Sequence, residues 1–255
     1  MSKQSRIRTQ ELRKAQLEAA ARKARQRRIA QVLGGIVILG LVAAIVVVVV
    51  KASGGSDPAV EKPKGEVVAP QNLTDSGAVL AGDPDAPVSV EIYYDYMCPA
   101  CGAFEAANGE ELNRLMDEGV ARLELRPISF LDDASEGTRY STRAANAFAA
   151  VVDGAPDLVW AFHQALYADQ PEEGTEGLSD DEIAAIATDA GVPADVVDRF
   201  TDGTFEPWVA DVTAEAFDSG VTGTPTIKID GASFEGDPYT VGDLTEAIES
   251  AAGNQ

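Results

Sequence analysis

Cys98 and Cys101 are the only cysteines in the 255-residue chain, with Pro99 and Ala100 between them. Two thiols at this spacing beside a strand-then-helix pattern read as a redox pair. One thiolate attacks a disulfide, and the second thiol lies close enough to resolve the mixed disulfide that results. The pair directly follows the apolar run Val88-Ser89-Val90-Glu91-Ile92-Tyr93-Tyr94. A helix opening at Cys98 would aim unpaired N–H groups and a positive dipole end at its sulfur, lowering the thiol pKa. Pro99 suits the first helical position, where a missing N–H costs nothing. Cys101, one turn inward, is expected to be the more buried and more ordinary thiol. Cys98 is therefore the candidate nucleophile and Cys101 the candidate resolving thiol. A structural disulfide is the main competing reading, although so small a loop adds little stability. Two unrelated buried thiols are a further one. A zinc site would need more ligands than these two cysteines and His163, the only histidine, can supply.

The elements that must position the pair follow from periodicity. Alternation at Val88, Val90, Ile92 and Tyr94 predicts a strand ending just before the cysteines. A helix from Cys98 to about Glu118 follows, with Gly119 as the glycine that stops it. Val120 to Ile128 alternates again, so strand, helix and strand should form a parallel βαβ unit. From Glu136 to Phe217 the chain is rich in Ala and Asp, with helical periodicity in Tyr140–Val152, Leu158–Tyr167 and Asp180–Ala190. Ser179 and Glu182 fit a capping box, and Pro193 and Pro207 suit the first turns of two more helices. The sheet resumes at Thr226-Ile227-Lys228-Ile229, Asp230-Gly231 signals a hairpin, and Ala232 to Glu235 returns. Thr240 to Ala252 closes as a helix. Trp160, His163 and Tyr167 share a helical face. His163 could shuttle a proton, though a structural hydrogen bond is the plainer role; Trp160, Phe162 and Trp208 read as core or groove wall.

Gly223-Thr224-Pro225-Thr226 is the second informative segment. A proline opening a strand removes a ladder donor, which an edge position would tolerate. A cis Thr224–Pro225 bond is the alternative. With Tyr94-Asp95-Tyr96-Met97-Cys98-Pro99-Ala100-Cys101, the helical insertion and this segment, the chain resembles the DsbA-like thioredoxin-fold thiol–disulfide oxidoreductases from about Asn72 onward. The resemblance implies an α/β thioredoxin-like fold with a helical insertion at about 136–217. It also implies a cis Thr224–Pro225 bond beside the cysteines, with both residues holding a substrate segment in extended form. Two positions depart from the family pattern. Ala100 stands where the best-known oxidising members carry a histidine that supports the thiolate. Ile92 stands where many members carry a buried carboxylate that moves the resolving thiol's proton, so Glu91 or Asp95 would have to substitute. A solvated or capping carboxylate is the plainer role for either.

Residues 29–50 are twenty-two residues with Gln31 as the only clearly polar side chain. That length spans a hydrocarbon core of about 30 Å. Residues 1–28 carry ten Lys or Arg against Glu11 and Glu18, while only Lys51 lies close on the other side. This asymmetry predicts a single transmembrane anchor with its N-terminus in the cytoplasm and the remainder outside. A cleaved signal peptide competes, but the apolar run is long for one and no A-x-A-like site follows. The basic tail reads as topogenic charge that also attracts anionic headgroups, without need of nucleic acid. Residues 51–72 read as a flexible tether, and 73–255 as the thioredoxin-like domain. An anchored DsbA-like domain is similar to the tethered members found in high-GC Gram-positive bacteria. Residues 70–255 hold 37 acidic residues against seven basic ones, a net charge of −30 that excludes nucleic acid as a partner.

Together these readings predict an outward-facing, membrane-tethered thiol–disulfide oxidoreductase. As a disulfide donor to exported cysteine-containing proteins it would need reoxidation by a quinone-linked membrane partner. As a reductase or isomerase it would need electrons from across the membrane. A non-catalytic binding or chaperone module is the alternative from another class, and a stalk serving the basic tail a third. Nothing in the sequence suggests a metal, nucleotide or haem site.

Overall fold

The computed structural model describes residues 66–253. The predicted basic tail, the anchor at 29–50 and the tether up to residue 65 lie outside these residues. Among the described residues no helix is long and apolar enough to cross a membrane.

The elements run β1 (Val79–Ala81), β2 (Val88–Tyr94), α1 (Pro99–Asp117), β3 (Ala121–Pro127), α2 (Tyr140–Gly154), α3 (Val159–Ala168), α4 (Asp180–Asp189), α5 (Ala194–Val197), α6 (Glu206–Asp218), β4 (Thr226–Ile229), β5 (Ala232–Ser233) and α7 (Asp243–Ala252). The sheet order is β1-β3-β2-β4-β5. β2 and β3 are parallel with Ile92 opposite Leu125, as the βαβ pattern requires, and β4 runs antiparallel to β2 with Ile227 opposite Ile92. β2 is thus the central strand, apolar on one face through Val88, Val90 and Ile92. Its other face is a charge ladder. Glu91 receives Arg126 at 2.5 Å and Lys228 at 3.0 Å, and both cations lie over the Tyr93 ring.

Local chemistry places the boundaries. Gly119 adopts φ +67° after α1, and its N–H donates to the Met116 carbonyl. Ser179 and Glu182 close a capping box at the start of α4. Asp230 and Gly231 both take positive φ, the geometry of a two-residue type I′ hairpin. Strand β1 was outside the sequence reading, and β5 is shorter than predicted, ending at Ser233. β4 lies between β2 and β5, so the edge-strand reading of Pro225 does not hold. The Thr224–Pro225 bond is cis.

Between β3 and β4 the chain forms helices α2 to α6. Helix α2 is buried nearly all round, from Tyr140 to Val152, which makes it the central rod of the insertion. Its Phe148 packs edge-on or tilted against Tyr94, Tyr96 and His163, joining the insertion to the end of β2.

Candidate active site

Cys98 is the N-cap of α1, in extended conformation with φ −72° and ψ 115°, and Pro99 opens the first turn. Its carbonyl accepts from Cys101 N at 3.0 Å and Gly102 N at 3.2 Å. Cys98 is 7% exposed and Cys101 1%, so an incoming sulfur meets Cys98 first. Both are free thiols. The Cys98 thiol is lowered to about 6, first by hydrogen bonding from the Cys101 thiol; burial opposes, while Thr224 and the N–H groups of Cys101 and Ala100 add to the lowering. Burial and the neighbouring Cys98 sulfur push Cys101 far in the opposite direction. The sequence placed an ordinary thiol at Cys101, and burial makes it a much weaker acid than that.

The second segment closes on the first across 126 residues. The protonated Cys98 thiol donates to the Thr224 carbonyl at 3.5 Å, and the buried Thr224 hydroxyl, with no other partner, is the group of that residue that can donate to the sulfur once it ionises. Cys98, Pro99, Ala100, Cys101, Thr224 and Pro225 therefore form one site. Tyr239, half exposed at 47%, stands at its edge, where partial burial first and the two sulfurs next raise its phenol.

The two carboxylates weighed in the sequence go to different places. Burial pushes Glu91 up, but Lys228 and Arg126 outweigh it and hold the carboxyl below its ordinary value. It stays in the ladder, on the sheet face opposite Ile92. Asp95 is fully buried, and burial raises its carboxyl to about 7. One oxygen accepts from Met97 N at 2.8 Å and Ser141 Oγ at 2.7 Å, the other from Leu131 N at 2.8 Å. Its backbone carbonyl takes Cys98 N and the Tyr167 hydroxyl. Asp95 thus ties β2, the cysteine turn, the loop after β3 and α2 into one knot, a buried form of the capping role.

His163 sits in an aromatic cage, stacked on Trp160 with ring centroids 5.0 Å apart and with Nδ1 3.2 Å from the Tyr96 hydroxyl. Its Nε2 faces Glu105 Oε2 at 3.6 Å. Glu105, whose side chain is 10% exposed, escaped the sequence reading. Its position four residues after Cys101 on the same helix face was the available signal. Gln170 also escaped it, and its amide reaches the Tyr96 and Cys98 carbonyls. The one hint was Gly102, a glycine inside a helix.

This arrangement has the parts of a thiol–disulfide exchange centre: an outer thiol with a lowered pKa, a more deeply buried partner thiol and the cis Thr224–Pro225 segment against the first. The thioredoxin family model matches residues 74–250. Serine/threonine-protein kinase PknE of Mycobacterium tuberculosis is 29% identical over 117 residues, 44% of this chain and 21% of the kinase. Disulfide bond formation protein D of Bacillus subtilis is 28% identical over 104 residues, 40% of this chain and 44% of that protein. The chain thus spans less than half the length of either relative. The solved structure of MdbA, a thiol-disulfide oxidoreductase from Actinomyces oris, superimposes with a TM-score of 0.62 at 25% identity, covering 73% of this chain and 91% of that one. The chain belongs to the thioredoxin family, in its DsbA-like form.

Proposed function

We propose that this chain is a membrane-tethered protein thiol–disulfide oxidoreductase that faces outward and donates disulfides to exported proteins. The observation that carries the reading is the placement of the two thiols, Cys98 at the N-cap of α1 and Cys101 one turn deeper and more buried, which lowers the first thiol and raises the second. In the oxidised enzyme a substrate thiolate attacks Cys98 Sγ and breaks the Cys98–Cys101 bond. Cys101 leaves and takes up a proton. A second substrate thiolate then attacks the substrate sulfur of the mixed disulfide, and the substrate leaves with its disulfide. Cys98 departs as the thiolate, holding the electron pair. A low Cys98 pKa makes it a good leaving group and stabilises the reduced enzyme, and both effects favour donation. The site therefore supports the oxidising direction without the histidine that Ala100 replaces.

Thr224 and Pro225 hold the substrate segment extended beside Cys98 in this reading. The sequence supports the rest: residues 29–50 as the anchor, a cytoplasmic N-terminus, and a quinone-linked membrane oxidase that returns Cys98 and Cys101 to the disulfide. The shared chemistry with Disulfide bond formation protein D and MdbA supports the activity. Replacing Cys101→Ser removes the resolving thiol, so Cys98 should accumulate mixed disulfides with exported proteins, seen as reductant-sensitive bands on non-reducing gels. Absence of such bands, together with an intact function in a Cys98→Ser variant, would leave only a binding module.

A further inference from the structure

Gln170 lies two residues past the end of α3, and its side chain reaches back to the mouth of α1. Nε2 donates to the Cys98 carbonyl at 2.8 Å and to the Tyr96 carbonyl at 3.1 Å. Both carbonyls belong to the turn that presents the exchanging sulfur. The amide oxygen lies over Gly102, where a Cβ would fall 2.1 Å from Oε1. Glycine inside a helix costs about 1 kcal/mol relative to alanine. Gly102 has an ordinary helical φ, so the backbone there does not require glycine. A side chain at 102 would instead displace the Gln170 amide from its place.

From this fit we propose that Gln170 is a positioning residue for Cys98, fastening the helical insertion to the turn that holds the exchanging sulfur. The proposal rests on Cys98 being that sulfur. The carbonyl oxygens of the turn that carries Cys98 add negative potential on the side of the thiolate. An amide N–H group shared between them offsets that potential and holds Cys98 in the extended conformation that keeps its sulfur at the N–H groups of Ala100 and Cys101. Without Gln170 the Tyr96 carbonyl loses its side-chain donor, the Cys98 carbonyl keeps only the N–H groups of Cys101 and Gly102, and the turn that supports the thiolate loosens.

The pair gives its own double-mutant cycle, because Gly102→Ala should expel the amide that Gln170→Ala deletes. The readout is the thiolate absorbance of the reduced full-length protein as a function of pH, in the wild type, both single variants and the double variant. Each single variant is expected to move the Cys98 midpoint upward by about half a unit to one unit, and the double variant no further than either alone. The equilibrium constant with glutathione should shift toward a more reducing protein in the same order. Near-UV circular dichroism identifies variants that have lost the fold, and alanine at 102 favours the helix, so Gly102→Ala keeps the cycle readable if Gln170→Ala unfolds. Folded variants with an unmoved midpoint, or single shifts that simply add in the double variant, would overturn the proposal. Failure of Cys101→Ser to trap partners would instead count against the proposed function, since the titration needs only the thiol.

Discussion

Asp95 shows how far one residue's environment can depart from its sequence context. Between Tyr94 and Tyr96 it reads as a capping carboxylate, and it does cap, but from full burial and with three donors. Unfolded, an aspartate ionises near 3.8, and in the fold burial lifts this one to about 7. The native state therefore binds the proton more tightly. Its contribution to stability is full below about pH 4 and is lost as pH rises through 7. Asp95→Asn carries no titrating group and gives up one accepted N–H bond. The wild type should lose roughly 2 kcal/mol relative to this variant between pH 5 and pH 8, from urea midpoints at the two values. Parallel pH profiles would show that Asp95 does not hold its proton in the fold.

At the level of elements, what could be read from the sequence was what depends on neighbours along the chain. The alternation of β2 and β3, Gly119, the Ser179 and Glu182 box and the Asp230-Gly231 turn all act within a few residues, and each stands where expected. β1 has only three residues and one alternating pair, too little for a period. The cis bond came from the family resemblance; the residues alone left it level with an edge strand. Asp95 to Ser141, Gln170 to Cys98 and Glu105 to His163 join positions 46 to 72 apart, and no local rule reports such contacts. They all cross between the thioredoxin elements and the insertion, where Phe148 is the apolar centre. Phe148→Ala should therefore cost about 3–5 kcal/mol, measured by urea unfolding. A loss below 1 kcal/mol would mean that the insertion is held mainly by its polar contacts.

For the whole molecule, charge and redox chemistry act together. All seven cations among the described residues pair with carboxylates, three of them on Arg114 alone. The acidic excess of residues 70–255 is left to solvent, a field that repels acidic partners at low salt and is screened at high ionic strength. Within that field the exchange centre is local. The Cys101 thiol, the Thr224 side chain and the N–H groups of Ala100 and Cys101 lower the Cys98 thiol against its burial, with no basic side chain among the causes. The direction of electron flow then depends on how strongly the reduced pair is favoured. The most direct measurement is the equilibrium reduction potential of the purified full-length protein against a glutathione series. A value of about −120 to −180 mV is expected for a disulfide donor. A value near or below about −250 mV would contradict donation and favour the reductase direction.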